Sequence, residues 1–283
     1  MVSRSEMYRQ SVEILRRNDI PDSGFDAMCI FQNVFGERNP MFLPQENVSE
    51  EHEEQIRGMI KRRSEDEPLQ YILGEWDFWN CTFKVGEGVL IPRPDTETLI
   101  EDVLKICRRK NLRTPKIADL CSGSGCIAIT LKKEIPTAEV YALELSEQAM
   151  GYLKQNSELN GAEINIIAAD VLDNRTAERF RELDIIVTNP PYLTASEMNE
   201  LQPEVRREPY MALFGGNDGL DFYRRLAPLW RDSLKKGGSF CCEFGMGQHD
   251  AVKQILHENH FINIEFSKDA GGIIRTATAE TEE

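Results

Sequence analysis

The 283 residues, 41 % apolar and 29 % charged, are enough for one large or two modest domains with a sizeable core. No apolar run approaches the roughly 18 residues that a membrane span needs, which excludes one. Thirty-three basic against 48 acidic side chains leave a net charge of −15, which repels a phosphate backbone and makes nucleic acid a poor direct partner.

The opening stretch, MVSRSEMYRQ, lacks the basic start, apolar centre and small-residue cleavage site of a secretory signal, so a cytoplasmic protein is expected. Seven cysteines (Cys29, Cys81, Cys107, Cys121, Cys126, Cys241 and Cys242) are odd in number, scattered and free of any C-x-x-C, as in reduced, packing thiols. His257 and His260 are i,i+3 neighbours on a helical pattern, but no Cys or carboxylate set accompanies them, and no metal is expected.

Up to Leu73 apolar residues recur at helical spacing: Met7, Val12, Ile14 and Leu15, then Phe25 to Phe35, then Ile56, Met59 and Ile60. Asp22 and Ser23 before the second run and Ser49 before the third are the expected N-caps. EEHEEQ followed by KRR places acid early and base late along one helix, as the dipole and i,i+4 pairing prefer, and reads as a solvated face. Residues 1–73 are therefore expected to form a small all-α domain. From Tyr71 the character changes. YILGEWDFWNCTFKVGEGVLIPRP mixes aromatic and β-branched residues with Gly and Asn, the pattern of a β-hairpin linker, placed at 74–94.

Residues 95–283 alternate. A helix from Thr96 to about Lys110 precedes the strand KIADL, a glycine-containing turn, the helix IAITLKKE, the strand VYALEL, a helix to about Leu159 and the strand INIIAAD. Further strands read at DIIVTN, GSFCCEF, INIEF and RTATA. Such alternation implies parallel strands joined by crossover helices, an α/β doubly wound sheet. SKDAGGI between the last two strands is too short for a crossover, so the final strand is expected to be antiparallel to its neighbour.

The ends of these strands carry the chemistry. Asp119-Leu-Cys-Ser-Gly123-Ser-Gly125 stands where the first strand becomes a helix, and glycines there let a ligand approach the backbone. Glu144 ends the next strand, where a carboxylate can accept two hydrogen bonds from a ribose diol; Asp170 follows the third, beside Val171. Cys121-x-Gly123-x-Gly125 is not the G-x-G-x-x-G spacing that a dinucleotide pyrophosphate needs. S-adenosylmethionine, which has no phosphate, fits better. Asn189-Pro190-Pro191-Tyr192 ends the fourth strand on the same sheet edge. Its prolines withhold donors and stiffen the chain, leaving the Asn189 side-chain oxygen and the Pro190 carbonyl as acceptors and Tyr192 as an apolar wall: a grip for a planar NH2 group.

Together YILGEWDFWNCTFKVGEGVLIPRPDTETLIE, DLCSGSGCIAITL and TNPPYL resemble the release factor glutamine methyltransferase family over nearly the whole chain. N-P-P-Y occurs in DNA adenine methyltransferases too, so I-P-R-P-x-T-E, the hairpin before it and LQPEVRREP make the resemblance specific. It implies a Rossmann-like class I methyltransferase fold and S-adenosylmethionine as cofactor. It also implies methyl transfer to the amide nitrogen of the glutamine in the Gly-Gly-Gln loop of class 1 peptide-chain release factors, modulating translation termination.

By the same resemblance Cys121, Ser122, Gly123, Ser124 and Gly125 form the loop on the methionine side, Glu144 meets the ribose, and Asp170 and Val171 the adenine. Asn189, Pro190, Pro191 and Tyr192 hold the glutamine, with Asn189, Pro190 and Tyr192 as the catalytic set and Asn189 also touching the cofactor. Many members have Gly at the position of Cys121 and Asp at that of Glu144. Arg93, Thr96 and Glu97 are implied near the mouth of the site; locally, Pro92 and Pro94 stiffen this stretch, and Asp95 or Thr96 can cap the next helix. Glu243, Gly245 and Gln248 match a family pattern as well, though a strand-end turn also accounts for them. The helical domain and hairpin would dock the release factor, and a monomer is expected.

Two rivals remain at this point. A nucleic-acid amino methyltransferase could hold a flipped adenine with the same four residues, against which the acidic balance argues. A cofactor-binding protein without catalysis would not need an intact Asn189 to Tyr192.

Overall fold

The computed structural model describes residues 2–36, 39–40 and 45–282. The chain divides into two compact units, Met1–Glu75 with Gln202–Arg207, and Trp76–Leu201 with Glu208–Glu283. The first contains α1 (Arg4–Arg17), α2 (Ser23–Phe35), α3 (Glu50–Ser64) and the short α4 (Leu69–Leu73). Ser3 and Ser49 cap α1 and α3 through their hydroxyls, whereas Asp22 holds the cap position of α2 without a side-chain bond. Met7, Leu15, Ile30, Phe31, Ile56 and Ile60 are buried here. Phe25, although part of the apolar run, is 58 % exposed. Beneath this layer Arg63 pairs with Asp26 at 2.6 Å, both buried, and also with Glu204. Burial outweighs the guanidinium and holds the Asp26 carboxyl above its ordinary range.

The second unit begins with a two-stranded hairpin, β1 (Glu75–Phe78; its first residue groups with the helices) and β2 (Cys81–Lys84). Trp79 in the turn has φ 56°, and its N–H is taken by the Glu97 carboxylate at 2.9 Å. One 3-10 turn, Pro94–Thr96, leads into α5 (Glu97–Arg109), the helix expected from Thr96.

Then follow β3 (Lys116–Leu120), α6 (Cys126–Glu134), β4 (Glu139–Glu144), α7 (Glu147–Leu159), β5 (Asn165–Ala168), α8 (Asn174–Ala177) and β6 (Leu183–Thr188). Short α9 (Ala195–Asn199) and α10 (Tyr210–Leu213) precede α11 (Asp221–Arg231), β7 (Leu234–Glu243), α12 (His249–Glu258), β8 (Ile262–Lys268) and β9 (Ile274–Glu280). The seven strands lie in the order β5-β4-β3-β6-β7-β9-β8.

β3 to β7 run parallel, and β9 is antiparallel to both of its neighbours. The last strand thus has the expected direction, but it inserts between β7 and β8 instead of lying at the edge. Composition explains the order: Ala277 and Ala279 of β9 are fully buried, whereas β8, INIEFSK, is largely exposed and suits an edge. β6 is buried at every position, as befits a central parallel strand covered on both faces. Trp230, Tyr223 and Leu226 of α11 pack with Phe240 and Ile186 in the core on one side.

The strand order reverses between β3 and β6. Chains leaving these two strands part in opposite directions and open a crevice at the carboxyl ends.

Candidate active site

A cavity of ≈ 210 Å³ lies at that crevice, and Cys121, Gly123, Glu144, Asp170, Val171, Asn189 and Pro191 all line it. The strand ends singled out from sequence thus converge on one space. Ser122, Ser124, Gly125, Pro190 and Tyr192 are not among the residues that line it.

The loop after β3 is shaped by left-handed backbone: Cys121 at φ 62°, Gly123 at 55° and Gly125 at 85°. Cys121 carries a β-carbon in a conformation that favours glycine, a strain of about 1–2 kcal/mol. Burial and the nearby Glu144 charge push its thiol far up, so it is not a nucleophile at neutral pH. All seven cysteines are unpaired. The Ser122 hydroxyl donates to the Asp119 carbonyl at 2.9 Å, and the Ser124 carbonyl accepts from Asn156 Nδ2 at 2.9 Å. Asn156 also meets both backbone groups of Lys84, accepting its N–H at 2.6 Å and donating to its carbonyl at 3.1 Å. One buried amide on α7 therefore ties the hairpin to the glycine loop.

Glu144 is nearly buried, at 8 % exposure. Its Oε2 accepts from Gly123 N at 2.7 Å, and its Oε1 from Leu145 N at 2.9 Å and Ser146 N at 2.8 Å. A carboxylate offers about four acceptor positions. Three are taken, leaving room for about one ribose hydroxyl in this geometry. Asp170 caps its own turn, accepting from Leu172 N at 2.8 Å. The Val171 carbonyl is held by Trp230 Nε1 at 2.8 Å.

At the end of β6, Asn189 Nδ2 donates to Thr96 Oγ1 at 3.1 Å, and that hydroxyl donates to Glu243 Oε2 at 2.7 Å. Thr96 sits at the cap position of α5, but its side chain makes no capping bond; the hydroxyl is spent on the site instead. Tyr192 approaches the other Glu243 oxygen at 3.4 Å. Its carbonyl accepts from Gln248 Nε2 at 2.9 Å, while Gln248 Oε1 takes Gly245 N at 2.8 Å. The turn after β7 therefore braces the Asn189–Tyr192 segment. Arg93 pairs with Glu208, whose carboxylate also accepts from Ile91 N at 3.0 Å. Glu97 is committed to the hairpin turn.

Sequence reading missed the apolar part of the lining: Leu90 after the hairpin, Leu143, Leu172, Met211 and Phe222. Met211, 50 % exposed, sits just after the LQPEVRREP segment, which was the one signal available for it.

Among the described residues lining the cavity there is no Lys, Arg or His. Two carboxylates, apolar walls and no phosphate-binding cation suit a positively charged nucleoside such as S-adenosylmethionine. Gly123 supports the fit, since a β-carbon there would meet nothing within 4 Å and would project into open space. Among the described residues no cluster of three or more His, Cys, Asp or Glu is placed to hold a metal. His257 closes α12, but His260 follows the helix with φ 60°, so the two do not share a helical face as the pattern implied. No helix among the described residues is long and apolar enough to cross a membrane.

Residues 96–204 match the family model described as Methyltransferase small domain, and residues 6–74 the PrmC N-terminal domain. The chain is 35 % identical over 280 residues to the release factor glutamine methyltransferase of Fusobacterium nucleatum, an alignment covering 97 % of this chain and 78 % of that protein. It is 39 % identical over 236 residues to the namesake from Thermodesulfovibrio yellowstonii, covering 83 % and 84 %. A 16S rRNA methyltransferase from Thermus thermophilus is similar in structure, with TM-score 0.53 and 18 % identity over 74 % of this chain and 50 % of that one; this likeness shows the Rossmann-like fold alone. On the strength of the near-full-length relatives, the chain belongs to the release factor glutamine methyltransferase family of S-adenosylmethionine-dependent enzymes.

Proposed function

We propose that this enzyme methylates the side-chain amide nitrogen of the glutamine in the Gly-Gly-Gln loop of class 1 peptide-chain release factors, acting as a cytoplasmic monomer. The observation that carries the reading is the sense of the Asn189 amide. Its nitrogen is committed to Thr96, which leaves Oδ1 as an acceptor at a cavity that Asn189 lines.

S-adenosylmethionine, when bound, supplies an electrophilic methyl group on a sulfonium. An amide nitrogen is a poor nucleophile because its lone pair is delocalised into the carbonyl, so the protein must orient it. Asn189 Oδ1 and the Pro190 carbonyl would accept the two amide hydrogens and turn the lone pair toward the methyl carbon. In favourable model reactions such orientation accounts for about 7–11 kcal/mol of a barrier. Tyr192, although outside the lining of the described cavity, would supply an apolar wall beside the amide. As the new bond forms the nitrogen becomes acidic, and its proton can leave to water or to Asn189 Oδ1 without a dedicated base.

In this reading residues 121–125 hold the methionine side of the cofactor, Glu144 the ribose, and Asp170 and Val171 the adenine. Residues 1–73 dock the protein substrate, 74–94 link, and 95–283 carry the chemistry. The test is transfer of labelled methyl from S-adenosylmethionine to a class 1 release factor, to the same factor with its loop glutamine changed to alanine, and to a DNA duplex. Label on the unaltered factor alone is expected. Label on DNA, or equal label on both factors, would contradict the proposal.

A further inference from the structure

Glu243 lies 147 positions from Thr96 in sequence, and Thr96 lies 93 from Asn189, yet two hydrogen bonds chain the three together. A threonine hydroxyl has one proton to give. When Thr96 gives it to a Glu243 carboxylate, Thr96 can meet Asn189 only as an acceptor, so the carboxamide must turn Nδ2 inward and keep Oδ1 for the cavity.

We propose that Glu243 is a positioning residue which, through the Thr96 hydroxyl, decides which end of the Asn189 amide receives the substrate NH2. The proposal rests on the reading that Asn189 grips a substrate amide. Glu243 and Thr96 are 1 % and 2 % exposed and stand outside the cavity lining.

Among the described residues, Tyr192, Tyr223, Asp95, Arg275 and the buried thiols of Cys126 on α6 and Cys242 on β7 bear on Glu243 besides Thr96. Tyr192 reaches Oε1, and Tyr223 on α11 donates to the Glu243 backbone carbonyl at 2.7 Å. Asp95 and Arg275 act through their charges, and Arg275 is shared between Asp95 at 3.5 Å and Asp269 at 3.2 Å. Burial is the largest influence on the carboxyl and Asp95 adds to it; against the bond from Thr96, the Arg275 charge and Tyr192, they push it up to about 7. A protonated Glu243 can donate to Thr96. The chain then reverses, Thr96 donates to Asn189, and the amide turns its nitrogen toward the cavity. Turnover is expected to fall as pH drops through about 7, and Glu243→Gln to lose that dependence.

The test pairs a spectroscopic titration with kinetics. In the unliganded protein, the Asn189 side-chain amide resonances should shift across neutral pH, and in Glu243→Gln they should not. Thr96→Val should lower kcat about tenfold or more with cofactor Kd unchanged, and Thr96→Ser, which keeps the hydroxyl, should recover most of it. Resonances that stay flat in the unaltered protein would overturn the proposal. So would a Thr96→Val variant with full kcat, or one whose loss Thr96→Ser does not repair. If the unaltered enzyme methylates no release factor, the substrate reading fails by itself, and the titration still decides the role of Glu243.

Discussion

Asp119 is fully buried at the base of the glycine loop, its Oδ2 accepting from Ala128 N at 3.2 Å. Burial above all, with the Glu144 charge adding to it against its hydrogen bonds, raises its carboxyl to about 8, against about 3.9 for the unfolded chain. Between those values the folded protein holds a proton that the unfolded chain has lost. Stability from this group is therefore full below about pH 4 and declines as pH rises to about 8. Asp119→Asn cannot titrate. Urea unfolding at mildly acidic and mildly alkaline pH should show a smaller decline for Asp119→Asn than for the unaltered protein; equal declines would contradict this assignment. At this scale the sequence revealed residue types and strand ends but not pairings. Thr96 reads as a helix cap because capping is a local rule, whereas its actual partner is 147 positions away. Glu144 reads as a free ribose acceptor, but the loop's own amides occupy most of its oxygens.

The strand-turn-helix after β3 separates two glycines that look alike in sequence. A β-carbon on Gly125 would lie 2.4 Å from Leu153 Cδ1 and 2.9 Å from Ile129 Cδ1, both in fully buried side chains that have little room to yield. One on Gly123 would meet open space. Each substitution carries the left-handed penalty of about 1–2 kcal/mol, and Gly125→Ala adds the clash. Thermal unfolding should show Gly125→Ala as clearly less stable than Gly123→Ala, while titration calorimetry should show Gly123→Ala losing cofactor affinity. The opposite ranking would contradict this division. The order and type of the main elements were readable because the pattern changes character near Tyr71 and alternates after Pro94, although the chain stays helical through Leu73 and the short α4, α8, α9 and α10 left too few periodic residues to be read. The place of β9 was not. A short connection dictates antiparallel direction, but insertion between β7 and β8 depends on which strand can tolerate an edge.

Across the whole molecule, the net charge of −15 and a cavity lined by Glu144 and Asp170, with no cationic side chain among the described residues that line it, act in the same sense, favouring a cationic cofactor and opposing a polyphosphate ligand. The sequence disclosed this balance, and it disclosed that four strand ends share one edge of a parallel sheet. It did not disclose the apolar lining from Met211 and Phe222, because those residues lie between the motifs that were read, after LQPEVRREP and before Glu243, and are brought to the cavity by the chain's return to the sheet. The proposed division of labour is specific: one carboxylate, Glu144, for the cofactor, and one carboxamide, Asn189, for the substrate. The most direct measurement is steady-state methyl transfer to a class 1 release factor by Asn189→Ala and Glu144→Ala, with cofactor Kd determined separately. Asn189→Ala should lose chiefly kcat, by about a hundredfold, with cofactor Kd little changed, and Glu144→Ala should chiefly weaken cofactor binding. Equal loss of kcat in both variants, with cofactor affinity intact in both, would contradict the account.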